Sequence, residues 1–330
     1  MEYDIKSIKN KRILFSPLNW GLRHVTRSIF IIKTLIQQKN EVLIACDEHQ
    51  KNYYLAQLTK LEYIHLRGFP FSFKGKGNWG IDLMKSYSQL RKQMLYEKQF
   101  VIETCKQRSI DIVIADQRLG FCHKEIPSIL ISHQLKLALP WYYFFAQQFN
   151  QKQINRFHHI WIPDEEKSKL SGLLSSGFSQ KKSYIGLCSQ LIGQNNDDKY
   201  EKEFKCLGIV SGPSPYAEQL YKLMIEKLNK SNKSCAIIVP ETIFNAFEKP
   251  KSIEVFVQPD LKTLNALINS SNTVISRNGY TTLMDLCVKN KSAILIPTPN
   301  QHEQLYLAKL HKNNKKWIFL DEKKFLSYTL

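Results

Sequence analysis

Residues 274–304 constrain the fold of this chain more than any other stretch. They read VISRNGYTTLMDLCVKNKSAILIPTPNQHEQ. The β-branched run at 273–275 predicts a strand that ends at a glycine turn, and a helix capped by Thr281 or Thr282 is predicted after it. A second buried strand at 293–296 completes a βαβ unit of a parallel sheet. The apolar side of the predicted helix consists of Leu283, Leu286 and Cys287.

The turn of this unit has the composition of an anion site. Such a turn lies at the carboxyl ends of the strands, where the N–H groups of the helix start point at a ligand. Arg277 adds a charge suited to phosphate oxygens, and Gly279 lets the backbone approach closely. Asp285 is placed so that its carboxylate can face a diol, which predicts a nucleotide diphosphate. An ordinary αβ unit with a solvated Asp and Arg is the alternative.

A similar unit opens the chain. Strands are predicted at 12–16 and 41–45, with a helix at 25–38 between them. His24 lies at the start of that helix, where the positive helix end keeps an imidazole neutral and able to accept a proton. A purely structural histidine is the alternative.

Asp116 ends the strand predicted at 111–115, at the same sheet edge as His24. A carboxylate in that place can orient His24 and stabilise its charge, as in a catalytic base dyad. A solvated aspartate at a strand end is the alternative. His133 follows the strand predicted at 128–132 and is a further candidate at this edge.

Both turns resemble motifs of the nucleotide-sugar glycosyltransferases of the GT-B fold, in particular the MurG-type and UDP-glycosyltransferase-like groups. Residues 20–27, WGLRHVTR, resemble the segment G-x-G-H-x-x-R, in which the histidine is taken as the general base or an acceptor-side ligand. Arg23 stands where that pattern has its second glycine, so its guanidinium can either clamp phosphate or obstruct the site. The acceptor-side candidates are Asn19, Trp20, Gly21, Arg23, Arg118 and His133.

The stretch 274–304 resembles the donor-binding signature of the same group. This resemblance implies that the second half of the chain is a donor domain similar to the glycosyltransferase family 28 C-terminal domain. The resemblance implies that the diphosphate is held at Arg277, Gly279, Thr281 and Thr282. It implies that Asp285, shorter than the usual Glu, holds the ribose hydroxyls. The pair Glu303-Gln304 stands where the family contacts the sugar hydroxyls.

A second phosphate loop is predicted in the same half of the chain. Ser211, Gly212 and Ser214 precede a helix predicted at 216–228, with Ser214 as its cap and Pro215 as its first helical residue. The family's small-residue loop occupies the same place.

The length of 330 residues suits two domains. The resemblance implies a GT-B fold of two Rossmann-like, doubly wound α/β domains that face each other across a cleft. We predict an acceptor-side domain at 1–164 and a donor domain at 165–330, with a polar interdomain linker at 165–190. Seven scattered cysteines without a C-x-x-C spacing predict reduced thiols and no zinc site.

The net charge of +18 has two interpretations. Residues 1–150 carry 22 basic and 12 acidic side chains, together with an aromatic run at 140–145 and a basic aromatic loop at 67–85. These features favour peripheral docking on an anionic membrane; a core helix, a plain surface loop and dispersed lysines are the alternative. No signal peptide, membrane span or nucleic-acid-binding pattern is found, so we expect a cytoplasmic protein, docked at most on the inner face of the membrane.

The predicted activity is transfer, with inversion, of an N-acetylhexosamine-like sugar from a UDP-sugar to a hydroxyl of a lipid-linked or cell-envelope glycan. No D-x-D motif is found, so a metal-independent hexosyltransferase without a cofactor is expected. The alternatives are a UDP-sugar hydrolase with the same donor site and a non-catalytic donor-binding or scaffold homologue.

Overall fold

The computed structural model describes residues 3–19, 23–58, 61–68, 87–140, 143–177, 181–231, 233–247, 250 and 252–330. The described residues up to Gln190 form one compact unit, and Leu191–Leu330 form a second. Four predicted features lie outside the described residues, namely Trp20, Gly21, Trp141 and most of the loop at 67–85.

The first unit has one parallel sheet with the strand order β3-β2-β1-β4-β5-β6-β7. Its strands are β1 (Arg12–Pro17), β2 (Glu41–Cys46), β3 (Glu62–His65), β4 (Ile112–Asp116), β5 (Ser128–Ile131), β6 (His159–Ile162) and β7 (Lys182–Tyr184). Its described helices are α1 (Arg23–Gln37), α2 (Glu48–Leu55), α3 (Tyr87–Arg108) and α4 (Phe144–Ile154). Strands β1 and β4 are buried along their apolar runs because helices cover both faces of such a sheet.

The first unit extends past the predicted boundary at residue 164. Strand β7 pairs with β6 in parallel, and the buried Ser183 hydroxyl hydrogen-bonds His159 Nε2 at 2.8 Å. The buried Asp164 carboxylate accepts the backbone N–H groups of Leu170 and Ser171, which closes a compact loop where a linker was predicted. The predicted linker at 165–190 is therefore wrong, and the division falls near Gln190.

The second unit repeats this architecture with the strand order β10-β9-β8-β11-β12-β13. Its strands are β8 (Phe204–Ile209), β9 (Cys235–Val239), β10 (Glu254–Val257), β11 (Ser271–Ser276), β12 (Ser292–Leu295) and β13 (Trp317–Phe319). Its helices are α5 (Tyr216–Asn229), α6 (Glu241–Ala246), α7 (Leu261–Asn269), α8 (Tyr280–Val288), α9 (His302–Leu310) and α10 (Glu322–Ser327). The predicted pair of Rossmann-like α/β domains is confirmed.

In each sheet, the chain builds outward on one side of its first strand and then returns to build on the other side. Such a reversal opens a crevice at the carboxyl ends of the two central strands, where ligands bind in open α/β sheets. In the first unit these strands are β1 and β4, joined beyond their ends by the Leu18 N–H to Asp116 O hydrogen bond. In the second they are β8 and β11, joined by Ser276 Oγ to Ile209 O.

The seven cysteines are all free thiols. Within the described ranges, no cluster of three His, Cys, Asp or Glu side chains is arranged to hold a metal ion. No helix in the part of the chain that the structure describes is both long and apolar enough to cross a bilayer.

Candidate functional site

The reversal point of the first sheet brings together His24, Arg27 and Asp116. His24 lies in the first turn of α1, and its Nδ1 is 3.2 Å from Asp116 Oδ1 at the end of β4. Arg27 Nε donates to Asp116 Oδ2 at 2.8 Å, and Arg27 Nη2 contacts Asp116 Oδ1. Asp116 and Arg27 are buried, whereas the His24 side chain is 16% exposed. Of the three, only the imidazole has a surface that a substrate can reach.

Burial and the neighbouring charges shift the pKa values of Asp116 and His24. Burial alone would raise the pKa of Asp116, but the charge of Arg27, followed by that of His24 and the hydrogen bonds, lowers it to about 2. Burial lowers the pKa of His24, and the charge of Arg27 adds to that effect against the attraction of Asp116. An ionised Asp116 accepts a hydrogen bond from the Nδ1–H group, so a neutral His24 keeps the lone pair of Nε2 for an incoming proton.

The sequence motifs did not indicate a role for Arg27, although it is the arginine of the segment HVTR. It lies three residues after His24, so the two side chains share one face of α1. This spacing is the signal that could have identified it. Its bidentate contact neutralises a buried carboxylate that would otherwise be very costly to keep ionised.

The acceptor-side candidates do not share one environment. Asn19 lies against Gly68, where a Cβ would stand 2.1 Å from Asn19 Nδ2, so a larger residue at 68 would displace the Asn19 side chain. Arg23 is the first residue of α1 and is half-buried. His133 is buried close enough to His24 for its charge to lower the pKa of His24.

The prediction that Arg118 lies on the acceptor side does not agree with its position in the structure. Its side chain is fully buried, and it donates to Pro17 O at 2.9 Å and to Glu97 Oε1 at 3.2 Å. A guanidinium enclosed in this way supports the end of β1 and does not face an acceptor in this conformation.

The predicted donor turn of the second unit lies at the end of β11. Helix α8 begins after Gly279, which is its N-cap and offers no side-chain cap. The predicted threonine cap is therefore wrong, because Thr281 and Thr282 lie inside the first turn. The first backbone N–H groups of a helix have no acceptor within it, and anions bind at helix starts for this reason. Cys287 is exposed, and Met284 takes its predicted place in the buried side.

Arg277 points inward and not towards solvent. Its side chain is 1% exposed, and its Nη2 donates to Glu322 Oε1 of α10 at 2.8 Å. Its Nη1 donates to Pro297 O at 3.2 Å. The expected free charge for phosphate is therefore replaced, in this conformation, by a buried clamp that ties the turn to α10 and to the segment after β12.

The neighbouring Asn278 and Gln304 extend this clamp. The buried Asn278 Nδ2 donates to Gln304 O at 2.6 Å, and Gln304 Oε1 accepts the Thr298 N–H at 2.8 Å. The carbonyl of the Gln304 side chain is therefore committed to the backbone and not to a sugar hydroxyl. Glu303 lies beside it in the first turn of α9 and is half-buried. The sugar contact of Glu303 stays a prediction.

The loop after β8 faces the same reversal point. Gly212 has a φ of +118°, a backbone conformation that favours glycine. Ser214 is not the cap of α5: Pro215 holds that position, and Ser214 Oγ donates to Glu218 Oε1 at 2.7 Å. Asp285 lies in α8 and is half-buried. The phosphate roles of Ser211, Gly212 and Ser214 and the ribose role of Asp285 stay predictions.

Comparisons with known proteins agree with these two units. Residues 210–330 match the family model for the glycosyltransferase family 28 C-terminal domain. No curated protein sequence matches the chain.

Among solved structures, the chain is similar to the spinosyn rhamnosyltransferase SpnG, with 13% identity, a TM-score of 0.67, and coverage of 96% of this chain and 90% of the other. It is similar to MurG of Acinetobacter baumannii, with 12% identity, a TM-score of 0.56, and coverage of 95% and 86%. It is also similar to Phytolacca americana UGT2, with 12% identity, a TM-score of 0.59, and coverage of 94% and 85%. The chain thus has the fold of the GT-B glycosyltransferases, and its residues 210–330 resemble the glycosyltransferase family 28 C-terminal domain.

Proposed function

We propose that this protein transfers a sugar, N-acetylhexosamine-like, from a UDP-sugar to an acceptor hydroxyl with inversion at the anomeric carbon. The observation that carries the proposal is the partly exposed His24 held by the buried Asp116–Arg27 pair at the reversal point of the first sheet. The donor turn at Gly279, within the part that matches the family 28 model, supports a nucleotide-sugar donor. The structure of SpnG is named for bound thymidine diphosphate, a nucleotide, and that of UGT2 for UDP-2fluoro-glucose, a nucleotide sugar.

In the proposed reaction, His24 Nε2 takes the proton of the acceptor hydroxyl as its oxygen attacks the anomeric carbon. The bond from that carbon to the diphosphate oxygen breaks, and the diphosphate leaves with the electron pair. Asp116 stabilises the imidazolium that forms. The N–H groups at the start of α8 and in the loop at Ser211 and Gly212 stabilise the leaving group.

This arrangement supports catalysis without a metal, so EDTA should leave the rate unchanged.

A donor screen tests the proposal. The intact chain is incubated with a panel of UDP-sugars, and with TDP-sugars for comparison, and nucleotide release is measured with and without a glycan acceptor. Acceptor-dependent release supports transfer. Free sugar formed without an acceptor would instead identify a hydrolase, and the absence of release from every donor would identify a binding homologue.

Asp285→Ala is expected to weaken UDP binding about 10- to 100-fold, since a hydrogen bond to a charged group contributes about 1.5–3 kcal/mol. Isothermal titration with UDP measures this change. The matched control is Glu226→Ala, which removes an exposed carboxylate from α5 and should leave the affinity unchanged. Equal affinity in Asp285→Ala and in the natural chain would refute the ribose assignment.

The kcat/KM of sugar transfer is expected to fall with decreasing pH only below pH 6.5. His24 acts as a base only when neutral, and burial lowers its pKa below the usual 6.5. The acidic limb of kcat/KM should therefore lie below pH 6.5, since this limb reports the pKa of the free enzyme's base. A pH–rate profile that falls at or above pH 6.5 would contradict the assignment.

The acceptor is proposed to be a lipid-linked or cell-envelope glycan. The basic and aromatic character of the first 150 residues supports a cytoplasmic protein that docks peripherally on the membrane carrying such an acceptor. The direct test compares transfer to an acceptor glycan on a lipid with transfer to the same glycan free in solution. Equal kcat/KM for both would refute a lipid-linked acceptor.

A further inference from the structure

Two of the free thiols lie side by side in the second unit. Cys206 in β8 and Cys235 in β9 are register partners on neighbouring parallel strands, so their side chains leave the same face of the sheet. Both are buried in the same core cluster, which α5 covers. One residue before each cysteine, the Lys205 N–H donates to Ser234 O at 2.8 Å, in agreement with this register. Neither thiol belongs to the candidate sites, which lie at the carboxyl ends of the strands.

The spacing of the two residues suits a disulfide. Neighbouring strands lie about 4.8 Å apart, and the Cα atoms of a disulfide are about 4.4–6.8 Å apart. The Cβ atoms have to converge slightly from the strand spacing, which Cys235 permits because it is the first residue of β9. Lys233 and Ser234, just before it, are exposed. Bond formation therefore requires a shift at one strand end and no rearrangement of the sheet.

The surroundings of Cys235 separate it chemically from other buried cysteines. Its interaction with the Cys206 thiol lowers its pKa against the effect of burial. Ser231 and the charge of Lys233 lower it further, to about 7. The pKa of Cys206 rises, first through the same interaction and then through burial. In Cys105, by contrast, burial raises the pKa of the thiol to about 11.

The two thiols therefore have different chemical roles. The thiolate is the nucleophile in sulfur chemistry, so Cys235 is the member that reacts first. A low-pKa cysteine beside a second thiol is the usual arrangement of a redox-sensitive pair, because the second thiol resolves the first oxidation product. Cys206 is placed for that second step, since it is the register partner of Cys235.

We propose that Cys206 and Cys235 form a modification site, a dithiol that a hydroperoxide oxidises to a disulfide. The Cys235 sulfur attacks one peroxide oxygen, the O–O bond breaks, and the other oxygen leaves and takes a proton to become water. The Cys206 sulfur then attacks the sulfur of the sulfenic acid, the S–O bond breaks, and a second water leaves with the Cys206 proton. In total the two thiols lose two electrons and two protons, and the peroxide is reduced to two waters. A dithiol reductant reverses the change by exchange.

Peptide mapping after peroxide treatment tests this pair. The intact chain is treated with hydrogen peroxide at neutral pH, the remaining thiols are blocked with N-ethylmaleimide in denaturant, and the digest is analysed without a reductant. We expect a cross-linked peptide that joins residues 206 and 235, lighter than the two free peptides by two hydrogens and absent after dithiothreitol. Cys235 should lose its free thiol at least about tenfold faster than Cys105, since far more of it is thiolate at neutral pH.

Single substitutions separate the two roles. In Cys206→Ala, Cys235 should stop at the sulfenic acid, which dimedone labels. Cys235→Ala should give neither the cross-link nor a dimedone label at Cys206. The matched control is Cys287→Ala, which removes the exposed thiol of α8 and should leave the yield of the cross-link unchanged.

Two results would overturn the proposal. One is separate alkylation of Cys206 and Cys235 after a peroxide dose that oxidises the exposed Cys287, and the other is an equal rate of thiol loss at Cys235 and Cys105. Both are measured on the natural chain, so they hold even if a variant fails to fold. The assay requires neither donor nor turnover, so its outcome is independent of the proposed sugar transfer.

Discussion

His24→Ala is expected to lower kcat/KM for sugar transfer by about 10² to 10⁴, the usual contribution of a positioned general base. The imidazole is the one partly exposed member of the buried group with Asp116 and Arg27, and its removal takes away the acceptor of the proton. UDP binding should be unchanged, because the proposed donor contacts all lie in the second unit. Initial rates across acceptor concentrations, together with UDP titration, measure both quantities.

His133→Ala is the comparison variant for this measurement. It removes a second buried imidazole beside the first, at the end of β5, and is expected to affect the rate far less. If His133→Ala lost more activity than His24→Ala, the base would have to be reassigned to His133. Retention of full activity in His24→Ala would refute the proposed proton transfer itself.

Arg27→Met is expected to destabilise the protein by about 3–5 kcal/mol, since it leaves the ionised Asp116 buried without its partner. Urea unfolding followed by circular dichroism measures the loss. Asp116→Asn in the Arg27→Met background should recover part of it, because the unpaired charge is then removed. A single-variant loss below about 1 kcal/mol would show that the pair carries little of the stability.

The pair also gives the unit a defined acid sensitivity. The pKa of Asp116 in the folded protein is about 2, below its ordinary value of 3.8. Its contribution to stability is therefore fully present above pH 3.8 and is lost as the pH falls towards 2.

Buried strands were predicted well because they are covered on both faces. The runs at β1 and β4 are continuous apolar segments that end at polar turns, and this pattern is local in the sequence. Strand β7 was missed because Lys182–Tyr184 is short, polar and at the edge of the sheet. Its place depends on pairing with β6, which no local pattern reveals.

The candidate sites were predicted in position but not in detail. Chain order placed His24 and Asp116 at one sheet edge, and their contact follows from that. The inward turn of Arg277 depends on Glu322, a partner 45 residues away, so local sequence could not distinguish a buried clamp from a phosphate ligand. The caps of α5 and α8 were assigned to hydroxyl side chains, whereas Pro215 and Gly279 hold those positions.

The contact between Arg277 and Glu322 bears on how mutational data for this protein would be interpreted. A saturation scan scored on donor affinity would mark Glu322, Asn278 and Thr298 as sensitive positions, although their side chains or backbone hold the turn and not the nucleotide. In the scores, such positions would look like contacts of the proposed nucleotide site, although in space they only support the turn. A substitution in the last ten residues of the chain would then mimic the loss of a ligand contact.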